Sequence, residues 1–106
     1  MKLIIIDDER IARSELKFLI KEVNTKIECF EADSVESAIS ILKNIELDGA
    51  FIDMQLPDGM GLDIGRYIDE NISPRIPIVF ATAFDQYAFD AFSVSAVDYL
   101  VKPFRK

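Results

Sequence analysis

The sequence contains no histidine and a single cysteine. Without histidine, the chain lacks the commonest zinc ligand and the commonest side-chain general base. Cys29 has no second cysteine with which to form an internal disulfide, and its strand-like apolar surroundings favour a small buried residue. The sequence therefore does not favour a histidine-ligated zinc site, histidine-based acid–base catalysis or a disulfide framework.

Basic residues and long apolar runs are also scarce. Twelve lysines and arginines stand against 19 acidic residues, which gives a net charge of −7 and an isoelectric point near 4.5. This balance argues against binding of nucleic acid or an anionic membrane by this segment, and it is compatible with a divalent cation. No stretch approaches the ~18 apolar residues of a membrane span, and the N-terminal apolar run is too short for a signal peptide. We therefore expect a cytoplasmic protein.

Half of the 106 residues are hydrophobic, which predicts one ordered domain with a core of its own. Short β-branched and aliphatic runs alternate with stretches of helical periodicity, and Ser34 is a plausible N-cap for the second helix. This alternation predicts a parallel sheet with helices on both faces. Strands are predicted over 3–6, 27–32, 49–53, 78–82 and 97–101, and helices over 12–23, 35–45, 62–70 and 86–92.

The handedness of parallel crossovers adds an expectation about the end of the chain. If the strand order is 2-1-3-4-5, right-handed crossovers place the first helix on one face and the next three on the other. One helix cannot cover a five-stranded face, yet the last three strands are apolar at successive positions. We therefore expect a fifth helix to follow Phe104, so that residues 1–106 are a truncated domain, or a second molecule to cover the open face.

Polar side chains stand where the predicted strands end. Asp7 and Asp8 follow the first strand, Asp53 ends the third, Thr82 ends the fourth, and Lys102 follows the fifth. The carboxyl ends of parallel strands meet at one edge of a sheet, where ligands bind. Each residue alone has a plainer interpretation, such as a helix N-terminal acid, a turn residue or a solvated lysine. Their occurrence together at one predicted edge favours a site.

The chemistry of these residue types indicates phosphoryl transfer assisted by a metal. Three adjacent carboxylates repel one another unless a cation lies between them, and Mg²⁺ is the ion that best suits all-oxygen ligands. A carboxylate such as Asp53 can act as a nucleophile toward phosphorus. Lys102 and the metal could then neutralise the phosphoryl oxygens, and Thr82 could donate to one of them. Asp58, before Gly59, is interpreted as a plain turn residue.

Four segments together resemble the receiver domain of two-component response regulators over essentially the whole chain: MKLIIIDDE, FIDMQLPDGMG, IVFATA and DYLVKP. The resemblance implies a flavodoxin-like fold in which Asp53 accepts a phosphoryl group from a sensor histidine kinase. It also implies Mg²⁺ binding by Asp7, Asp8, Asp53 and the main-chain carbonyl of Gln55.

The resemblance further implies how such a site changes state. Thr82 and Lys102 are expected to contact the phosphate, and Tyr99 is expected to move inward when Thr82 moves. The Lys102–Pro103 peptide bond is expected to be cis, which would direct Lys102 inward. The surface of the fourth helix and fifth strand would then change to control an output.

The segment FATAFDQYAFDAFSVSAVDYLVKPF also resembles receivers that are joined to LytTR-type DNA-binding domains. This resemblance implies transcriptional control by an effector domain that is absent from the present chain. Whether the protein forms a homodimer stays open. Four aromatic residues in the middle of this segment have two interpretations, which are core packing and a docking surface beside the switch. They are Phe84, Tyr87, Phe89 and Phe92.

Two other functions stay open at this point. A Mg²⁺-dependent phosphohydrolase with an aspartyl-phosphate intermediate would use the same nucleophile, but such enzymes usually carry an acid two residues later, where this chain has Gln55. A receiver-like interaction module that is never phosphorylated would need none of the site residues. Gln55 cannot donate a carboxylic proton, which argues against the hydrolase, and every site position holds a competent residue type, which argues against the unphosphorylated module. We therefore expect a phosphoacceptor switch rather than an enzyme.

Overall fold

The structure is a computed structural model that describes residues 1–72, 76–82 and 96–101, with the backbone alone described at 82 and 96–101. Strands and helices alternate over the described residues up to 82 as predicted, with one additional short hairpin before the third helix. The elements are β1 (Lys2–Ile6), α1 (Arg10–Val23), β2 (Glu28–Ala32), α2 (Val35–Asn44), β3 (Gly49–Ile52), β4 (Gln55–Leu56), β5 (Gly59–Met60), α3 (Gly61–Asn71), β6 (Ile78–Thr82) and β7 (Ala96–Val101).

Five of the strands form one parallel sheet of order β2-β1-β3-β6-β7. Since β6 and β7 are the fourth and fifth strands of the sequence prediction, the order 2-1-3-4-5 agrees with the described sheet. β4 and β5 form a separate antiparallel hairpin. The predicted helix over 86–92 and the region after Phe104 lie outside the described residues.

The two faces of the sheet are packed differently. Ile4 and Ile6 of β1 point into a large core with residues from α2 and α3, and Ile5 points to the other side. This division follows from the two-residue period of a strand. Each fully buried aliphatic side chain contributes roughly 1.5–3 kcal/mol to folding, so β1, which is apolar on both faces, anchors both cores.

The core on the α1 side is small among the described residues. Leu16 and Ile20 of α1 pack on Ile5 and Ile27, and half-buried residues surround them. Cys29 is one of these, so the prediction that it is buried was wrong: it is half-buried on β2, the outermost strand on that side of the sheet.

The helix ends agree with local sequence signals where a cap was predicted. The hydroxyl of Ser34 accepts a hydrogen bond from the backbone N–H of Ser37 at 3.0 Å, which confirms Ser34 as the N-cap of α2.

Among the described residues, no helix combines the length and apolar character needed to cross a bilayer.

Candidate metal-binding site at the carboxyl edge of the sheet

The strand register brings Asp7 and Asp53 to the same edge of the sheet. Ile6 and Ile52 are register partners on the neighbouring strands β1 and β3, and each is followed directly by one of the two aspartates. The backbone N–H of Asp53 donates to the carbonyl of Ile6 at 2.8 Å, which continues the parallel ladder up to the acid. The predicted convergence of these two strand ends is therefore confirmed.

Asp7, Asp8 and Asp53 form one cluster of carboxylates. One oxygen from each of them lies within 4.8 Å of the other two. Asp7 and Asp53 are 5% and 7% exposed, whereas Asp8 is exposed. At about 4 Å, two like charges near a protein surface repel by roughly 4 kcal/mol, and burial of two of the three carboxylates limits screening by water.

This donor set fits a hard divalent cation. All three ligand atoms are carboxylate oxygens, which suit Mg²⁺ better than a softer metal that prefers nitrogen or sulfur. An ion among them would replace mutual repulsion by attraction. The cluster therefore has the composition and spacing of a Mg²⁺ site, with Asp8 on its open side.

Main-chain and side-chain bonds hold Asp7 in place. Its N–H donates to the carbonyl of Ala32 on β2 at 3.0 Å, and its Oδ1 accepts from the N–H of Glu9 at 2.9 Å. Its carbonyl accepts from Nη1 of Arg13 at 2.7 Å. No short sequence pattern predicts this contact, because Arg13 is six residues from Asp7 and lies on the following helix.

Gly61 allows the chain to pass close to Asp53. A Cβ atom at residue 61 would lie 2.1 Å from the carbonyl oxygen of Asp53, and the N–H of Gly61 donates to the carbonyl of Met54 at 2.7 Å. A residue with a side chain cannot make this approach, since the clash is with backbone. The N–H of Gln55 donates to Oδ1 of Asp53 at 3.4 Å, so the start of β4 also lies beside the acid.

Asp58 does more than complete the turn between β4 and β5. Its carboxylate accepts hydrogen bonds from the N–H groups of Val35 and Glu36, at 2.8 Å and 3.0 Å, in the first turn of α2. The bonds from Glu36 and then Val35 lower the pKa of the Asp58 carboxyl below its ordinary value. The interpretation of Asp58 as a plain turn residue was incomplete, and no local pattern reveals a partner more than 20 residues away.

The other predicted site residues are located only in part. Thr82 is the last residue of β6 and is in register with Val101, and Tyr99 of β7 is in register with Phe80. Lys102 and the Lys102–Pro103 bond lie outside the described residues. The structure thus brings together the three acids, and the roles of Thr82, Tyr99 and Lys102 stay predictions.

The chain is similar to known proteins both in sequence and in fold. The family model for the response regulator receiver domain matches residues 3–106. The sensory transduction protein LytT of Bacillus subtilis is 43% identical over 104 residues, which cover 98% of this chain and 43% of LytT. The transcriptional regulatory protein LytR of Staphylococcus aureus is 42% identical over 104 residues, which cover 98% of this chain and 42% of LytR. The chain thus spans less than half the length of these relatives.

A solved structure gives the same result for the fold. The response regulator TrrA of Thermotoga maritima, crystallised in complex with Mg(2+)-BeF, matches with a TM-score of 0.87 and 27% sequence identity. The match covers 98% of this chain and 88% of the TrrA chain.

Proposed function

This chain belongs to the response regulator receiver family, and on that premise we propose that Asp53 accepts a phosphoryl group from a sensor histidine kinase. The observation that carries the proposal is the convergence of Asp7, Asp8 and Asp53 within 4.8 Å at the carboxyl edge of a parallel sheet. A receiver is a phosphoacceptor module rather than an enzyme that turns over a substrate. Its product is its own phosphorylated form.

The acid cluster would hold Mg²⁺ through Asp7, Asp8, Asp53 and the main-chain carbonyl of Gln55. The burial of Asp7 and Asp53 and the spacing of the three carboxylates support this assignment. When bound, the ion supplies positive charge that offsets the phosphoryl oxygens and the nucleophile. The chain's own contribution is to hold the acids in place before the reaction, through the contacts of Asp7 and the close approach of Gly61.

The reaction itself is one displacement at phosphorus. A carboxylate oxygen of Asp53 forms a bond to phosphorus as the bond from phosphorus to the imidazole nitrogen of the kinase phosphohistidine breaks. The electron pair of the broken bond stays on the imidazole nitrogen, which takes up a proton from water. The phosphoryl group then contacts Thr82 and Lys102 in this proposal, in line with Thr82 as the last residue of β6 and with Lys102 as the next residue in sequence after β7.

The output follows from a change of packing after phosphorylation. Thr82 moves toward the phosphoryl group, Tyr99 repacks, and the surface that the predicted helix over 86–92 would share with β7 changes its partners. This is a shift between two populated conformations. Homology to LytT and LytR supports an effector that controls transcription, joined to the receiver in a protein about twice its length. The signalling partners are then a histidine kinase and that effector domain.

Phosphorylation by a small donor tests the proposal. The chain is incubated with Mg²⁺ and acetyl phosphate, and intact mass shows whether one phosphoryl group is added. Asp53→Asn is expected to abolish the addition. The matched control Asp48→Asn, at the residue before β3 on the opposite edge of the sheet, is expected to retain it. A wild-type mass that stays unchanged would contradict the proposal, and sustained turnover of a phosphomonoester would instead indicate a phosphohydrolase.

A further inference from the structure

The side chain of Arg13 joins helix α1 to the backbone of the acid cluster. Its Nη1 donates to the carbonyl of Asp7 at 2.7 Å, and its Nε donates to Oε1 of Glu31 on β2 at 3.0 Å. The side chain is only 15% exposed. Arg13 is therefore packed between a strand and the site and is not a solvated cation on the polar side of α1.

The carbonyl that Arg13 holds belongs to the peptide group between Asp7 and Asp8. A peptide group is planar, so a bond that fixes this carbonyl also fixes the direction in which the chain leaves toward Asp8. The N–H and the carboxylate of Asp7 are already bonded, to Ala32 and Glu9. Asp8 is the exposed member of the cluster, and the orientation of this peptide decides where its side chain begins.

Glu31 orients the guanidinium group. It precedes Ala32, the residue whose carbonyl bonds to Asp7, so the strand β2 holds Asp7 both directly and through Arg13. A planar guanidinium can bond to the carboxylate and the carbonyl at once with little loss of freedom. Lys17 reaches the same carboxylate from α1, with its Nζ 3.7 Å from Oε2 of Glu31 and its side chain 43% exposed.

We propose that Arg13, oriented by Glu31, is a positioning residue that keeps the Asp8 carboxylate directed at Asp7 and Asp53. It acts through the main chain and does not touch the reacting atoms. The inference rests on the proposed function, since it assigns Arg13 a role in Mg²⁺ binding and phosphorylation. A purely structural role, in which Arg13 only ties α1 to β2, is the alternative that the experiment must separate.

The first measurement needs no metal. Amide hydrogen exchange of Asp8 and Glu9 is compared in the wild-type chain, in Arg13→Met and in the matched control Lys17→Met, which removes the other cation that contacts Glu31. Arg13→Met is expected to accelerate exchange at both amides, because the peptide between Asp7 and Asp8 loses its tether. Lys17→Met is expected to leave both rates as in the wild type. Unchanged exchange in Arg13→Met would overturn the positioning role.

The second measurement is a calorimetric titration with Mg²⁺. Loss of a partner that orients a metal ligand typically weakens affinity by about 10- to 100-fold, and we expect about tenfold for Arg13→Met. Lys17→Met should stay within about twofold of the wild type, as a surface substitution usually does. Arg13→Lys should stay weakened, because an ammonium group cannot replace the two-pronged contact.

The outcomes separate this inference from the proposed function. If the wild-type chain binds no Mg²⁺, the proposed function fails, and hydrogen exchange still decides whether Arg13 orients the peptide. If the wild type binds and Arg13→Met binds equally well, the positioning role fails and the proposed function stands. Should Arg13→Met not fold, Glu31→Gln keeps the arginine and removes its charged partner, and the same two measurements are expected to show a smaller loss.

Discussion

Oδ1 of Asp58 lies 2.8 Å from the backbone nitrogen of Val35, and this hydrogen bond connects residues that are 23 positions apart. The second oxygen of the same carboxylate accepts from Glu36. An acid is thus placed at the positive end of the α2 dipole by a hairpin that begins two residues after Asp53. The contact links the segment that follows the phosphoacceptor to the second helix.

Removal of the Asp58 carboxylate is expected to lower thermal stability. Asp58→Ala leaves the N–H groups of Val35 and Glu36 without this acceptor, so the melting temperature should fall. Asp58→Asn should fall less, because an amide oxygen can still accept one bond. Thermal unfolding followed by circular dichroism measures both, with the exposed Glu15→Gln on α1 as the control. Equal melting temperatures in all four chains would contradict the role of Asp58 at α2.

The same contact predicts a pH dependence. The pKa of Asp58 is lowered from its ordinary 3.8, first by the bond from Glu36 and then by that from Val35. A lowered native pKa means that the stabilisation is present above 3.8 and is lost as the pH falls toward the native pKa. The difference in melting temperature between wild type and Asp58→Asn should therefore shrink as the pH falls below about 3.8 toward the lowered native pKa.

A methyl group at Gly61 is expected to damage both the fold and the site. The added carbon would stand 2.1 Å from the carbonyl oxygen of Asp53, so the backbone must shift, at a cost of about 3 kcal/mol. Gly59→Ala is the graded control, because its nearest contact, at 3.0 Å, is the carboxylate of Asp63. Urea unfolding and Mg²⁺ titration of both variants check the prediction. Equal losses in the two variants would contradict it.

Neutralisation of Asp8 is expected to change stability in opposite directions with and without metal. Asp8 is exposed and close to two buried carboxylates, so Asp8→Asn should remove repulsion between them. Without Mg²⁺, the melting temperature should therefore rise, and the free energy of unfolding should increase by up to about 1 kcal/mol. Mg²⁺ should then stabilise the wild type and have little effect on the variant. The matched control is Asp33→Asn, an exposed acid outside the cluster. A variant that gains as much from Mg²⁺ as the wild type would argue against Asp8 as a ligand.

Replacement of Lys102 by alanine is expected to separate phosphorylation from its consequence. In the proposed function Lys102 contacts the phosphoryl group, while Asp53 carries out the attack. Lys102→Ala should still gain mass with acetyl phosphate and should lose the phosphate-dependent chemical-shift changes of β7. Arg105→Ala serves as a control for a lost positive charge nearby in sequence. Normal shift changes in Lys102→Ala would exclude its role in the switch.

The amount that could be predicted from sequence differs between local and distant features. The positions of the described strands along the chain, the N-cap at Ser34 and the acids at the strand ends follow from short-range rules, and these predictions are confirmed. The half-buried state of Cys29 was missed, because β2 is an edge strand and exposure at an edge depends on what packs there.

By itself the sequence determined that Asp7 and Asp53 stand at the ends of buried strands, because strand periodicity and turn chemistry are encoded within a few residues. Only the tertiary structure decided that Arg13 bonds to the carbonyl of Asp7 and that Asp58 bonds to α2. Such contacts depend on the angle at which a helix packs on the sheet and on the position of the hairpin turn relative to the helix that it contacts. Both are set by the shape of the whole core, so no short pattern in the chain predicts them.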